Sequence, residues 1–166
     1  MKKASTLELQ HFLPYKLSRL LNDVSIGLQR TYTPSFGLNV SQWRMLAAAA
    51  QLEPTSVTEL TDYSGMDKVT VSRALREMVD KNLMTRTLDE NDRRRSTIEL
   101  TEEGRRIYDE ISPGAVEYER DLLKPLSADE RRVLEALVDR LLSQAAILRQ
   151  ASSRTFPSRR RTASSE

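Results

Sequence analysis

The feature that most constrains this chain is a short spacer, Ser64-Gly65-Met66-Asp67, between two helical patterns. Ser56 and Glu59 have the spacing of a capping box, which starts a helix at Val57, and Gly65 closes it after about Ser64. Asp67 can cap the next helix, which runs from Lys68 to about Asn82. Helices joined this tightly must cross sharply, which is a helix-turn-helix arrangement.

At about 100° of rotation per residue, Val71, Ala74, Leu75, Met78 and Val79 of the second helix fall on one arc, its core face. The other side carries Val69, Thr70, Ser72, Arg73 and Arg76, gathered in the first half of the helix, the end that enters the major groove in helix-turn-helix proteins. Arg73 can give two hydrogen bonds to guanine O6 and N7, Thr70 and Ser72 can serve bases or phosphates, and Val69 can meet a thymine methyl. Lys68 and the backbone amides at the helix start can take a phosphate. A solvated amphipathic face has the same pattern, so this helix does not decide the matter alone.

The pattern then changes. Met84 to Leu88 and Ser96 to Leu100 are strand-like, and the polar run from Asp89 to Arg95 reverses the chain between them. Arg93, Arg94 and Arg95 stand at the tip of this hairpin, with Arg86 on its first strand. A narrow minor groove attracts arginine, so one module can touch two adjacent grooves.

The remaining segments are helical. Leu13, Leu17, Leu20, Val24 and Leu28 form a stripe from Leu7 to Leu28, which Thr33, Pro34 and Gly37 are expected to break. A second helix spans Val40 to Leu52 and stops before Glu53-Pro54. Thr101 caps a fifth helix, which Ser112-Pro113-Gly114 is expected to kink or split. Ser127 and Glu130 open a last helix with Val133, Leu134, Leu137, Leu141, Ala145 and Leu148 on its apolar face.

The expected fold is mainly α with a small β-hairpin wing, a winged helix-turn-helix dimerised through its N- and C-terminal helices. Residues 1–150 form one unit, with dimerisation helices at 7–32 and 102–150 and a DNA-binding lobe at 40–101. Residues 151–166 form a disordered Ser- and Arg-rich tail. The Leu-rich stripes of the first and last helices are more than one subunit of 166 residues obviously buries, which favours a dimer over the alternative that these helices pack only on their own core. Two-fold symmetry then implies a near-palindromic operator with half-sites about 10 bp apart.

Composition narrows the function. The net charge is only +2, so the clustering of the basic residues matters more than their number. With no cysteine there is no disulfide, Cys-based zinc site or thiol sensor. One histidine, no nucleotide-binding glycine loop and no clustered metal ligands leave an enzyme little beyond a site built on carboxylates, and no cofactor is expected. No apolar run suggests a signal peptide or membrane span, so a cytoplasmic protein is expected. A winged-helix module that binds an acidic protein partner, without base-specific DNA binding, is the alternative.

The chain resembles the multiple antibiotic resistance regulator (MarR) family of winged-helix repressors. The residues that carry the resemblance are Thr70-Val71-Ser72-Arg73 with Leu75 and Leu83, Asp92-x-Arg94 followed by Leu100-Thr101, and Ser41-Gln42-Trp43-Arg44 upstream. The resemblance implies a homodimer on double-stranded DNA, with Arg94 as the minor-groove arginine. It makes Asp92 the residue that positions the wing, though an aspartate is also an ordinary turn former.

On the first helix His11, Tyr15 and Arg19 lie opposite the leucine stripe and can line a pocket. Trp43 and Arg44 are the other ligand-contact candidates, an aromatic wall and a cation for a carboxylate. Core packing for Trp43 and plain surface roles for the rest are the alternatives. The opening Phe12-Leu13-Pro14-Tyr15 with Trp43-Arg44 resembles the branch of the family that controls aromatic-acid breakdown. That resemblance implies a small-molecule inducer, an aromatic carboxylate or an aromatic acyl thioester of coenzyme A.

Overall fold

Side-chain caps set most helix starts in this chain. Asn39 accepts from the Gln42 amide while the Gln42 side chain accepts from the Asn39 amide, which begins α2 (Val40–Leu52). Ser56 and Glu59 do the same for α3 (Val57–Ser64), and Gly65, at φ 66°, ends it in the left-handed conformation that glycine adopts without a Cβ penalty. Asp67 caps α4 (Lys68–Asp80). Thr101 accepts from the Gly104 amide at 3.0 Å at the start of α5 (Glu102–Leu122). Ahead of these lies α1 (Leu13–Phe36), and α6 (Ala128–Ala151) follows.

This computed structural model describes residues 7–88 and 96–151. The expected wing tip, with Asp92, Arg93, Arg94 and Arg95, and the expected tail beyond Ala151 lie outside the described residues. The chain divides into two compact units, one ending at Glu119 and one starting at Arg120.

In the first unit the core forms where the apolar faces of α2, α3 and α4 meet the hairpin. Met45, Leu46, Leu60, Val71, Met78 and Ile98 are fully buried there. Each such side chain contributes about 1.5–3 kcal/mol by leaving water. The hairpin pairs β1 (Met84–Leu88) antiparallel with β2 (Ser96–Leu100), in the register Met84 with Leu100 and Leu88 with Ser96. On β2, Ser96 and Ile98 face inward while Thr97 and Glu99 face water, the alternation of a half-buried strand.

Four sequence expectations change. The first helix continues through Thr33-Pro34 as far as Phe36 and stops at Gly37, at φ 60°. It begins at Leu13 rather than Leu7, with Pro14 in its first turn, where a missing amide costs nothing. His11 therefore belongs to a preceding 3-10 turn, Leu9–His11, and shares no helix face with Tyr15 and Arg19. Helix α5 is not split at Ser112-Pro113-Gly114, and Pro113 lies inside it. Val79, placed on the core arc by rotation alone, is exposed near the end of α4.

Helix α1 leaves Leu13, Leu17, Leu20 and Leu21 exposed. In the second unit, Ser127 and Glu130 form the expected capping pair, and α6 exposes Leu134, Leu137, Leu141 and Leu148. Among the described residues no helix is long and apolar enough to cross a membrane.

Candidate nucleic-acid interface

The outer face of α4 is built by the burial of its inner one. Val71, Ala74, Leu75 and Met78 anchor the helix in the core, which leaves Lys68, Val69, Ser72, Arg73 and Arg76 in water, with Val69 68% exposed. Thr70 is half-buried. Five of the six expected contact residues of this helix thus share an open surface.

Grooves flank this surface on both sides. On one, a cleft of about 840 Å³ is lined by Ser56 and Thr58 from the start of α3, Lys68 and Ser72 from α4, and Arg86 and Thr97 from the hairpin. On the other, a groove of about 450 Å³ places Thr70 and Arg73 beside Asn39, Val40 and Ser41 at the start of α2. The first groove sets the cations Lys68 and Arg86 beside Glu59, and the second sets Arg73 beside Glu77. Arg86 is held by a hydrogen bond from its Nε to Ser96 Oγ at 3.1 Å.

The start of α4, like those of α2 and α3, is capped by a side chain. Asp67 Oδ1 accepts from the amides of Val69 and Thr70, each at 3.0 Å, so these amides are not free for a phosphate as the sequence suggested. Asp67 Oδ2 accepts from the Thr70 hydroxyl at 2.6 Å. These bonds, the Thr70 hydroxyl foremost, hold the Asp67 carboxyl below the usual carboxylate range.

The wing is docked by contacts that sequence patterns did not reveal. Thr55, between α2 and α3, bridges Ile98: its amide donates to the Ile98 carbonyl at 3.0 Å and its carbonyl accepts from the Ile98 amide at 2.8 Å. Glu53 accepts from the Leu100 amide at 2.9 Å and pairs with Arg105 on α5. The signal for Glu53 was present only as a helix-ending residue before Pro54.

Trp43 and Arg44 line a cavity of about 340 Å³ with Ala47, Gln51, Tyr63 and Tyr108. Trp43 is buried between two tyrosines, its ring centroid 5.6 Å from that of Tyr32 and 6.0 Å from that of Tyr108, nearly parallel to the latter. Burial pushes the Tyr32 hydroxyl up to about 12, offset in part by the Arg44 charge. Arg105 lies over the Tyr108 ring at 5.8 Å, and Gln51 donates to the Tyr108 hydroxyl at 3.0 Å. The structure does not bring His11, Tyr15 or Arg19 into this cavity, and all three are exposed.

The crossing of α3 and α4 with a hairpin docked beside it defines a winged helix-turn-helix. A model of the MarR family matches residues 36–95. The chain is similar to the HTH-type transcriptional regulator PecS of Dickeya dadantii (strain 3937), 31% identical over 130 residues that cover 78% of this chain and 68% of PecS. Among solved structures it is similar to a MarR/EmrR family regulator from Acinetobacter sp. ADP1, at 26% identity and a TM-score of 0.77, covering 84% of this chain and 99% of that one. BpsR of Bordetella bronchiseptica shares the fold at 21% identity and a TM-score of 0.73, over 82% of this chain and 97% of BpsR. This chain belongs to the MarR family, and it is a transcriptional regulator rather than an enzyme.

Proposed function

We propose that the chain acts as a homodimeric repressor that reads a near-palindromic duplex site and is released by a small aromatic acid. The observation that carries the reading is the exposed face of α4, with Ser72, Arg73 and Arg76 on it and Lys68 and Arg86 lining the groove alongside. In this reading Lys68 serves a phosphate, Val69, Thr70, Ser72, Arg73 and Arg76 face the major groove, and Arg93, Arg94 and Arg95 grip the flanking minor groove, with Asp92 positioning the wing. The exposed leucines of α1, and separately those of α6, support a second copy as their partner.

For the ligand, the cavity beside Trp43 offers three aromatic walls, Trp43, Tyr63 and Tyr108, and one cation, Arg44. Its volume suits a single aromatic ring with a carboxylate. If the inducer is a coenzyme A thioester, only its aromatic acyl end fits there. BpsR offers a parallel, since its DNA binding is regulated by 6-hydroxynicotinic acid. His11, Tyr15 and Arg19 remain proposed contacts from the N-terminal segment. Release follows if the ligand prefers a dimer geometry in which the two α4 helices no longer match the half-site spacing.

Selection of bound sequences from a random duplex pool at moderate salt tests the reading. Recovery of a two-fold symmetric site, and its release by aromatic acids or their thioesters, is expected. A monomeric protein, or one that binds every duplex equally, overturns it.

A further inference from the structure

The tip of α4 has a definite hydrogen-bond polarity. Asp67 uses Oδ1 for two backbone amides and Oδ2 for the Thr70 hydroxyl. The carboxylate has only lone pairs to offer beyond these bonds, and the Thr70 hydroxyl, its one proton given to Asp67, has only lone pairs as well. Asp67 is exposed, and Thr70 shares its groove with Arg73 one turn further along α4. An acceptor pair with a negative charge repels phosphate and finds no partner in guanine N7 or O6 or in thymine O4, which are themselves acceptors.

We infer that Asp67 and Thr70 together form an acceptor-only reading element that selects, at one position of each half-site, a base presenting an exocyclic amino group in the major groove. Adenine N6 and cytosine N4 are the two such groups. Arg73, a donor only, then takes a guanine at a neighbouring position, so the two faces of the helix tip read opposite chemistries. This rests on the proposed entry of α4 into the major groove, and it adds a specificity role for Asp67 that its cap alone does not require.

The test starts from the operator selected by the unaltered protein. Each adenine is replaced in turn by purine, which lacks the 6-amino group, and each cytosine by 2-pyrimidinone, which lacks the 4-amino group. One substitution per half-site is expected to cost the unaltered protein about ten-fold in affinity, and whether it falls on adenine or cytosine identifies the base. Measuring the same duplexes with Thr70→Val removes the effect of weakened base pairing. The penalty should shrink there, where Asp67 is left as the sole acceptor, and persist in full in Thr70→Ser.

Asp67→Asn gives the sharper outcome. Its amide oxygen can keep the backbone cap while its NH2 donates to Thr70 Oγ, which turns the hydroxyl proton outward. Preference at that one position should then move to a keto base, thymine or guanine, which a purely structural cap would not cause.

No penalty for removing any amino group, or the same base selected by the unaltered protein and Asp67→Asn, overturns the inference. If Thr70→Val fails to fold, the analogue scan and the Asp67→Asn selection still decide it. A protein that selects no sequence at all sinks the proposed function. One that keeps its guanine through Arg73 but ignores amino groups sinks only this element.

Discussion

The Gln42 side-chain amide donates to the Glu77 carboxylate at 2.8 Å, while its carbonyl oxygen accepts from the Asn39 amide at 3.0 Å. One buried residue thus caps α2 and fastens it to the second half of α4. Lys81 joins them, with Nζ 3.4 Å from Gln42 Oε1 and 3.1 Å from the Gly37 carbonyl at the end of α1. The recognition helix is therefore held in rotation by a polar clamp as well as by its apolar face.

Replacing Gln42 by Leu leaves the Asn39 amide and the Glu77 carboxylate without this partner. The loss should be about 1–3 kcal/mol, seen as a lower urea midpoint at unchanged slope. A double cycle with Glu77→Gln should show coupling of about 1 kcal/mol between the two positions. Additive effects would mean that the clamp does not hold.

Gly104 sits against the loop that leads into the hairpin, where an added Cβ would overlap the Leu83 carbonyl oxygen. In an open helix Gly→Ala stabilises by up to about 1 kcal/mol. Here the obstacle is backbone, so Gly104→Ala should instead destabilise by about 2–3 kcal/mol. Thermal or urea unfolding reads the sign directly.

Arginine removal should separate reading from gripping. Arg73→Ala is expected to relax base preference at one position of each half-site, at a cost of about 1–3 kcal/mol on the best site. Arg94→Ala should weaken binding in a way that depends on minor-groove width in the flanks. Unchanged affinity and selectivity in both variants would refute the assignment.

Two caps make stability depend on acid. The carboxyls of Glu59 and Asp67 both lie below their ordinary values, held chiefly by the Ser56 and Thr70 side chains respectively. Their folded pKa values are below the unfolded ones. Their contribution is therefore complete above about pH 5 and lost as pH falls through the unfolded values toward the folded ones. Asp67→Asn should flatten the fall of the melting temperature between about pH 5 and pH 3, and an identical fall in both proteins would contradict the cap.

Trp43 is the only tryptophan, so its fluorescence reports on the cavity it lines. Aromatic carboxylates should change its emission with a saturable dependence, and Arg44→Gln should weaken them at least about ten-fold by removing a charge-assisted hydrogen bond. Equal binding of the uncharged amide analogues would rule out Arg44 as the carboxylate partner.

The elements of the DNA-binding lobe were legible because their ends carry local signals. Asn82 to Thr101 shows the limit of such signals. Thr101 was readable as a cap, but its hydroxyl also donates to the Asn82 carbonyl at 2.8 Å, and Asn82 takes the left-handed conformation at φ 56°. Contacts like these, or Thr55 with Ile98, join residues far apart in sequence and have no period to betray them. Likewise, helical rotation placed Thr70 on the outer face but could not show that Asp67 takes its proton. Pro34 and Pro113 misled because proline's cost depends on where in a helix it falls and on what packs around it.

The bridge from Thr55 to Ile98 ties the hairpin to the connection between α2 and α3, one helix before the reading helix. Movement of this connection should therefore carry both DNA-facing parts of the lobe with it. Dissociation from an operator should consequently be abrupt, with no lingering state in which one groove is vacated and the other is still occupied.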